Sequence, residues 1–507
     1  MKKNSAILLS LGIIFGLLVA GCAPATQTPV RDSLVVAMGG NPVTLDPQGS
    51  NDSASARVHR QLYDTLILQT EDLELVPALA TEWRAIDDLT WEFELRPGVK
   101  FHNGETLTAS DVKFTLERAL DSAYISHIVG PIDKESITVV DELTIRFATT
   151  EPFAPILAHL AHPAMGILNE KAVTEGGEDY GTNPVGTGPF KFVSWDFDEK
   201  VTLERFEDYF GTKALLREVV FRIIPDNTVR TVELETGGAD IVFDIQPADI
   251  DLVGADPELT LVRDPNLSVA YIGFNVQKEP FDDVRVRQAI NLALDMPAIV
   301  NAVYKGVGSP AVGPLGSNVF GANLELEAWG FDQVRARELL AEAGLADGFE
   351  TTIWTNDNAQ RVQIAEIVKE QLSQVGIEVT IQEVEWSKYL ADTAAGLHDM
   401  FILGWTTVTA DADYGLFPLF HTSAKGSPGN RTFYSNARVD ELLDIGRTTK
   451  DEATRLEAYM EAQEIIRNEA PWIFTWNGEN ISGTHSSVIG FVQHPAGHHR
   501  LDQVTFS

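Results

Sequence analysis

A single cysteine, Cys22, occurs in 507 residues, so no intrachain disulfide can form and no CxxC redox or zinc motif exists. Basic residues are scarce: 38 Lys and Arg stand against 74 Asp and Glu, a formal charge of -36. Nucleic-acid binding runs on neutralisation of phosphates by Lys and Arg, and this deficit argues against it. The balance reads instead as an acidic, soluble surface. No GxSxG and no HExxH is present, which removes the esterase nucleophile elbow and the zincin helix. Internal repeats, low-complexity tracts and sustained heptads are also missing, so the chain is globular rather than a solenoid or a coiled coil.

Only one long apolar run exists, residues 6–20, preceded by Lys2 and Lys3. A charged n-region followed by such an h-region is the pattern of a signal peptide. The run is at the short edge of what spans a bilayer core of roughly 30 Å, and it ends in small residues directly before Cys22. Residues 1–21 are therefore expected to be removed. Leu18-Val19-Ala20-Gly21-Cys22 resembles a bacterial lipobox, which implies that the Cys22 thiol is diacylglyceryl-modified and becomes the mature N-terminus. Each buried methylene contributes about 0.8 kcal/mol, so two or more acyl chains anchor where one is marginal. Residues 22–32, small, polar and proline-bearing, read as a tether between lipid and fold.

From residue 33 onward the length suits two or three domains, and a 44% hydrophobic content is ample for packed cores. Asp332 can N-cap a helix with Val334, Leu339, Leu340 and Ala343 on one face, stopped by Gly344. A strand over 349–354 follows, then a helix over 359–375 with Val362, Ala365, Ile367, Val368 and Leu372 inward, stopped by Gly376. Ile377, Val379 and Ile381 alternate as in a strand, and 400–405 is a short apolar strand candidate. This βαβ pattern predicts an α/β lobe with a largely parallel sheet. The N-terminal half is richer in short strands, at 90–95, 136–140 and 143–147, the last two forming a hairpin about Asp141-Glu142.

Several segments resemble one family, the family-5 solute-binding proteins of bacterial ABC importers. They are Pro42-Val43-Thr44-Leu45-Asp46-Pro47, Leu62-Tyr63-Asp64-Thr65-Leu66, and Leu95-Arg96-Pro97-Gly98-Val99-Lys100-Phe101-His102-Asn103-Gly104-Glu105 with Thr108-Ala109-Ser110-Asp111-Val112 behind it. Pro184-Val185-Gly186-Thr187-Gly188-Pro189-Phe190 and Phe281-Asp282-Asp283-Val284-Arg285-Val286-Arg287-Gln288-Ala289-Ile290 follow in order. The resemblance implies a two-lobed periplasmic-binding-protein-like α/β fold with an extra small β-rich subdomain and a hinge of two crossings, near 268–275 and 474–487. It divides the chain into lobe I (33–68, 185–270 and 487–507), the subdomain (69–184) and lobe II (275–480). It further implies capture of a peptide-like solute, an oligopeptide, dipeptide or glutathione, for delivery to ABC transporter permease subunits at the extracytoplasmic face. A monomer without cofactor or catalytic activity is expected. Most of these motifs read locally as architecture: Pro97-Gly98 and Asn103-Gly104 are turn dipeptides, and Thr108 or Ser110 with Asp111 is a helix start.

A buried peptide needs partners for its termini and backbone, because an unpaired buried polar group costs about 1–3 kcal/mol. The segment running from Gly404 to Tyr414 resembles the family's ligand-facing stretch and contributes Trp405, Thr406, Thr407, Asp411 and Asp413 as candidates. Dipeptide and oligopeptide binders commonly carry an aspartate three residues after the Trp, to pair with the peptide ammonium; this chain has Val408 there. Either Asp411 or Asp413 takes that role, or the ligand lacks a free α-amine at that point. Arg431 is the candidate carboxylate partner, and Tyr271 and Asn275 lie beside the expected hinge. The alternative is a binder of nickel or another metal chelate, suggested by His159 and His162 at i,i+3 spacing and by His494, His498 and His499. A sensing role would use the same lobes.

Overall fold

The computed structural model describes residues 31–426 and 429–507; Cys22 and the segment before residue 31 lie outside the described residues. No described helix is long and apolar enough to cross a membrane.

Local signals set the helix ends. Thr108 and Asp111 form a capping box on the helix Ala109–Asp121, and the Asp332 carboxylate accepts from the Val334 and Arg335 amides at the start of Gln333–Glu342. That helix buries Ala336, Leu339 and Leu340, whereas Val334, expected inward, is 66% exposed. It sits in the first turn, before the helix reaches the core. In Ala359–Ser373 the buried set is Ile364, Ala365, Val368 and Leu372, so Ile364 replaces the expected Val362 at its start and Ile367 is only half-buried.

An eleven-stranded sheet runs through the whole molecule. At one end Ile377–Glu383 and Phe349–Thr355 pair in parallel, and the latter pairs in parallel with Met400–Thr406. At the other end Ser33–Met38 lies parallel between Glu218–Ile223 and Ile241–Phe243. Two long antiparallel strands, Leu259–Phe274 and Trp472–His485, join the ends. The sheet is thus mixed, not purely parallel, because both crossings run against their neighbours. Alternation is strict at the centre: Ile272, Phe274, Met400 and Ile402 enter one core, and Tyr271, Phe401 and Leu403 enter the core on the opposite face.

The two long strands lose register at two places, by one residue between Ala270 and Tyr271 and more widely beside Pro265. Pro265 pairs with Glu479, and the next pair is Val269 with Asn477, so four residues on one strand answer two on the other, a bulge at a proline that has no N–H to give. On one side of the break Trp472–His485 pairs with Ile241–Phe243, and on the other Leu259–Phe274 pairs with Met400–Thr406. The break therefore lies where the sheet passes from one lobe to the other. It falls just before the expected 268–275 segment on the first strand and within 474–487 on the second.

A separate four-stranded antiparallel sheet, in the order Ala80–Ala85, Thr90–Leu95, Thr144–Ala148, Thr138–Asp141, packs with Ala109–Asp121 on its own core between Leu66 and Ile167. It touches the C-terminal lobe through Gln69 Nε2 donating to the Thr409 carbonyl (3.0 Å) and the Ala154 amide donating to the Arg447 carbonyl (2.8 Å). The Gly186-Thr187-Gly188 turn presses on the end of Ser53–Leu62; a Cβ at Gly186 would stand 2.0 Å from the Leu62 carbonyl oxygen, so only glycine fits.

Candidate ligand cleft between the lobes

The strand Met400–Thr406 ends at the lobe boundary, and its last residues divide the cleft into two chambers. Ser268, Gly404, Trp405 and Thr406 line both. The first chamber, about 450 Å³, is walled by residues 244–247 of the N-terminal lobe and by Tyr304, Arg361, Ile402 and Trp476 of the C-terminal one. The second, about 510 Å³, is more polar, with Asn51, Ser53, Arg57, Asn266 and Asn480 in its walls. Ligand sites in α/β folds favour such strand ends.

Aromatic surfaces shape the first chamber. Tyr304 and Trp476 stack at 4.2 Å with planes 1° apart, and the Trp476 indole donates to the Val307 carbonyl (2.7 Å). The Trp405 indole N–H is committed to the Tyr414 carbonyl (2.9 Å), so this ring offers its face and not a donor. Beyond Phe401 no described strand pairs with Met400–Thr406 on the edge away from Leu259–Phe274, although the Ile402 carbonyl accepts from the Tyr389 hydroxyl (2.6 Å) and the Thr406 carbonyl from the Val408 amide (2.9 Å). The backbone around Gly404 is left to pair with an extended ligand.

The charges in the cleft differ in how they are compensated. Asp244 holds Arg57 in a two-point pair (2.8 and 2.9 Å), and Glu479 holds Arg263 (2.7 Å). Arg361, in the first turn of Ala359–Ser373, makes no ion pair with a described carboxylate. Its Nη1 donates to Asn356 Oδ1 (2.9 Å) and its guanidinium lies 5.5 Å from the Trp386 ring centre. The N-terminal end of this fifteen-residue helix, with Asn358, Gln360 and Arg361, lines the first chamber, which adds the helix's positive end to the guanidinium charge.

The residues expected from the sequence are dispersed. Trp405 and Thr406 line both chambers. Thr407 is buried and its amide donates to the Leu267 carbonyl (2.9 Å). Asp411 N-caps the helix Ala412–Phe420, pairs with Arg455 (2.8 Å), and lines a separate cavity of about 600 Å³ between the small subdomain and the C-terminal lobe. The Asp413 carboxylate, 1% exposed, pairs with Arg447 at 2.9 and 3.1 Å. Arg431 is buried, its Nε donating to Thr393 Oγ1 (3.1 Å), and is not among the residues lining either chamber. Tyr271 is buried against Trp472 with rings 3.4 Å apart. The Asn275 amide nitrogen closes a turn on the Gly396 and His398 carbonyls. Arg361, Tyr304 and Trp476 were missed; a first-turn arginine after an N-cap Asn and a strand end was the available signal for Arg361.

The histidines are packed rather than arranged for a metal. His159 Nδ1 donates to the Ile128 carbonyl (2.5 Å), His162 Nδ1 accepts from the Ala164 amide (3.1 Å), and His494 and His498 have ring centres 4.3 Å apart. Among the described residues no group of three or more His, Cys, Asp or Glu side chains could hold a metal ion. Burial, with His159, His127 and Arg60 adding to it, pushes His162 down to about 3.

Comparison with known proteins agrees with this geometry. Residues 74–427 match the family described as bacterial extracellular solute-binding proteins, family 5 Middle. The chain is 34% identical over 475 residues to the glutathione-binding protein GsiB of Pectobacterium atrosepticum, covering 91% of each. Among solved structures it resembles the periplasmic binding protein DppA of Helicobacter pylori in complex with the peptide STSA (30% identity, TM-score 0.81, 94% and 98% of the two chains covered). It is similarly close to the dipeptide-binding protein of a Pseudoalteromonas species in complex with Met-Leu (28% identity, TM-score 0.83, 94% and 100% covered). The chain belongs to the family-5 bacterial extracellular solute-binding proteins, two-lobed carriers of ABC transporters and not enzymes.

Proposed function

We propose that the cleft captures a short peptide-like solute, glutathione or a small peptide, by a terminal carboxylate and presents it to the permease subunits of an ABC importer. The observation that carries this reading is Arg361: a cation in the cleft wall, at a helix N-terminus, with no described carboxylate to neutralise it. A ligand carboxylate can take a two-point hydrogen bond from a guanidinium, while the strand edge around Gly404 can bond the ligand backbone and the Tyr304–Trp476 stack can cover its side chains. The relatives named as glutathione-binding and the neighbours solved with peptides support the same ligand class.

Closure is proposed to turn on the register break at 265–269 and 477–479. Contacts made only when both lobes reach the ligand would shift the population to the closed form. Signal-peptide removal, a lipid anchor at Cys22 and action as a monomer complete the proposal. Calorimetry of protein truncated at Cys22 tests the ligand reading: saturable binding of glutathione or of di- to pentapeptides is expected. Silence with all of them, together with binding of nickel-histidine, would replace it with the metal-chelate alternative.

A further inference from the structure

The charge balance of the cleft goes one step beyond the ligand class, and it rests on that reading. The acidic side chains lining the two chambers are Asp244 and Glu479. Each is already engaged, Asp244 by both terminal nitrogens of Arg57 and Glu479 by Arg263. Two further acids, beyond the strand end, are paired as well: Asp411 is held by Arg455 and Asp413 by Arg447. Beside these pairs stands one cation that no described carboxylate engages, Arg361, in a protein of formal charge -36. Position 408, which also lines the second chamber, is a valine.

A buried ammonium without a free anion to meet it is costly, whereas a second carboxylate meets no unpaired acid here. We infer that the site selects solutes with one net negative charge and does not read a free α-amine as an ion. The favoured class is peptides whose amine is blocked, or whose excess carboxylate outweighs it, over simple zwitterionic peptides.

The test is a calorimetric series on the Cys22-truncated protein with Ala-Ala, N-acetyl-Ala-Ala, Ala-Ala-amide, glutathione and N-acetylglutathione. N-acetylation is expected to leave affinity within about threefold or to raise it, and amidation of the C-terminus to weaken it about tenfold or more. In Arg361→Ala the difference between acid and amide should vanish, and the preference for the anionic forms should fade as salt rises. A loss of about tenfold or more on N-acetylation, with the parent peptides binding well, would overturn this inference and leave the peptide reading standing. No binding of any of the five would overturn both.

Discussion

The segment 405–414 and the first turn of Ala359–Ser373 both bring charge to the centre of the molecule, with opposite results. Asp411 and Asp413 are neutralised in place by Arg455 and Arg447, side chains on two later helices. Arg361 meets only an amide oxygen and an aromatic face. One region spends its charges on docking helices against each other; the other leaves a charge for a solute. The difference teaches that a charged residue in a ligand-facing segment is a binding group only if the fold has not already supplied its partner.

That contrast can be broken by substitution, and the largest effect belongs to the structural side. Asp413→Ala leaves the Arg447 guanidinium without its carboxylate, and breaking a buried pair in this way should cost about 3–5 kcal/mol of unfolding free energy. Urea unfolding measures it; affinity of the folded fraction should change little. On the ligand side Arg361→Ala should weaken a carboxylate-bearing peptide by about 1.4–3 kcal/mol, tenfold or more. Because Arg361 joins no ion pair with a described carboxylate, the melting temperature of the ligand-free protein should stay close to that of the parent.

A third test concerns pH. His162 is held neutral by burial, its pKa pushed down to about 3, and in the unfolded chain it returns to about 6.5. Below that value the unfolded state binds the proton and the folded state does not, so stability is full above pH 6.5 and falls as acid is added. Between pH 6.5 and 5 this single group should cost about 2 kcal/mol. His162→Asn keeps an acceptor for the Ala164 amide and cannot titrate. Its stability should therefore fall less steeply over that range, a change visible in denaturation curves at several pH values.

The smallest effect is expected from Trp405→Phe. The ring face in the cleft survives while the hydrogen bond to the Tyr414 carbonyl is lost, at about 1 kcal/mol of stability, and ligand affinity should move by less than in Arg361→Ala. A larger loss of affinity than in Arg361→Ala would place the ligand's main anchor on Trp405.

Much of the architecture was legible. Glycine stops, N-cap residues and period-two strands are local signals, and they located two helices and three strands between residues 332 and 406 closely, while the helix Trp386–Ala394 was missed. The family motifs gave the two lobes and the ligand class. The fate of Asp411, Asp413 and Arg431 was not legible, because it depends on partners 34 to 44 residues distant in sequence from the aspartates and 38 from Arg431. Tyr271 shows the same limit: its alternation was readable, but the Trp472 ring that buries it comes from a strand about two hundred residues on. Arg361 was hidden for the converse reason: its place in a helix's first turn after a strand end was readable, but not that the fold supplies it no described carboxylate.

The most direct test of the central claim is the affinity of glutathione for the Cys22-truncated protein and its Arg361→Ala variant, measured by calorimetry in the same buffer. The account predicts saturable binding to the parent and a loss of about tenfold or more in the variant, with unchanged folding. Equal affinity in both would contradict it, and would remove Arg361 from the site.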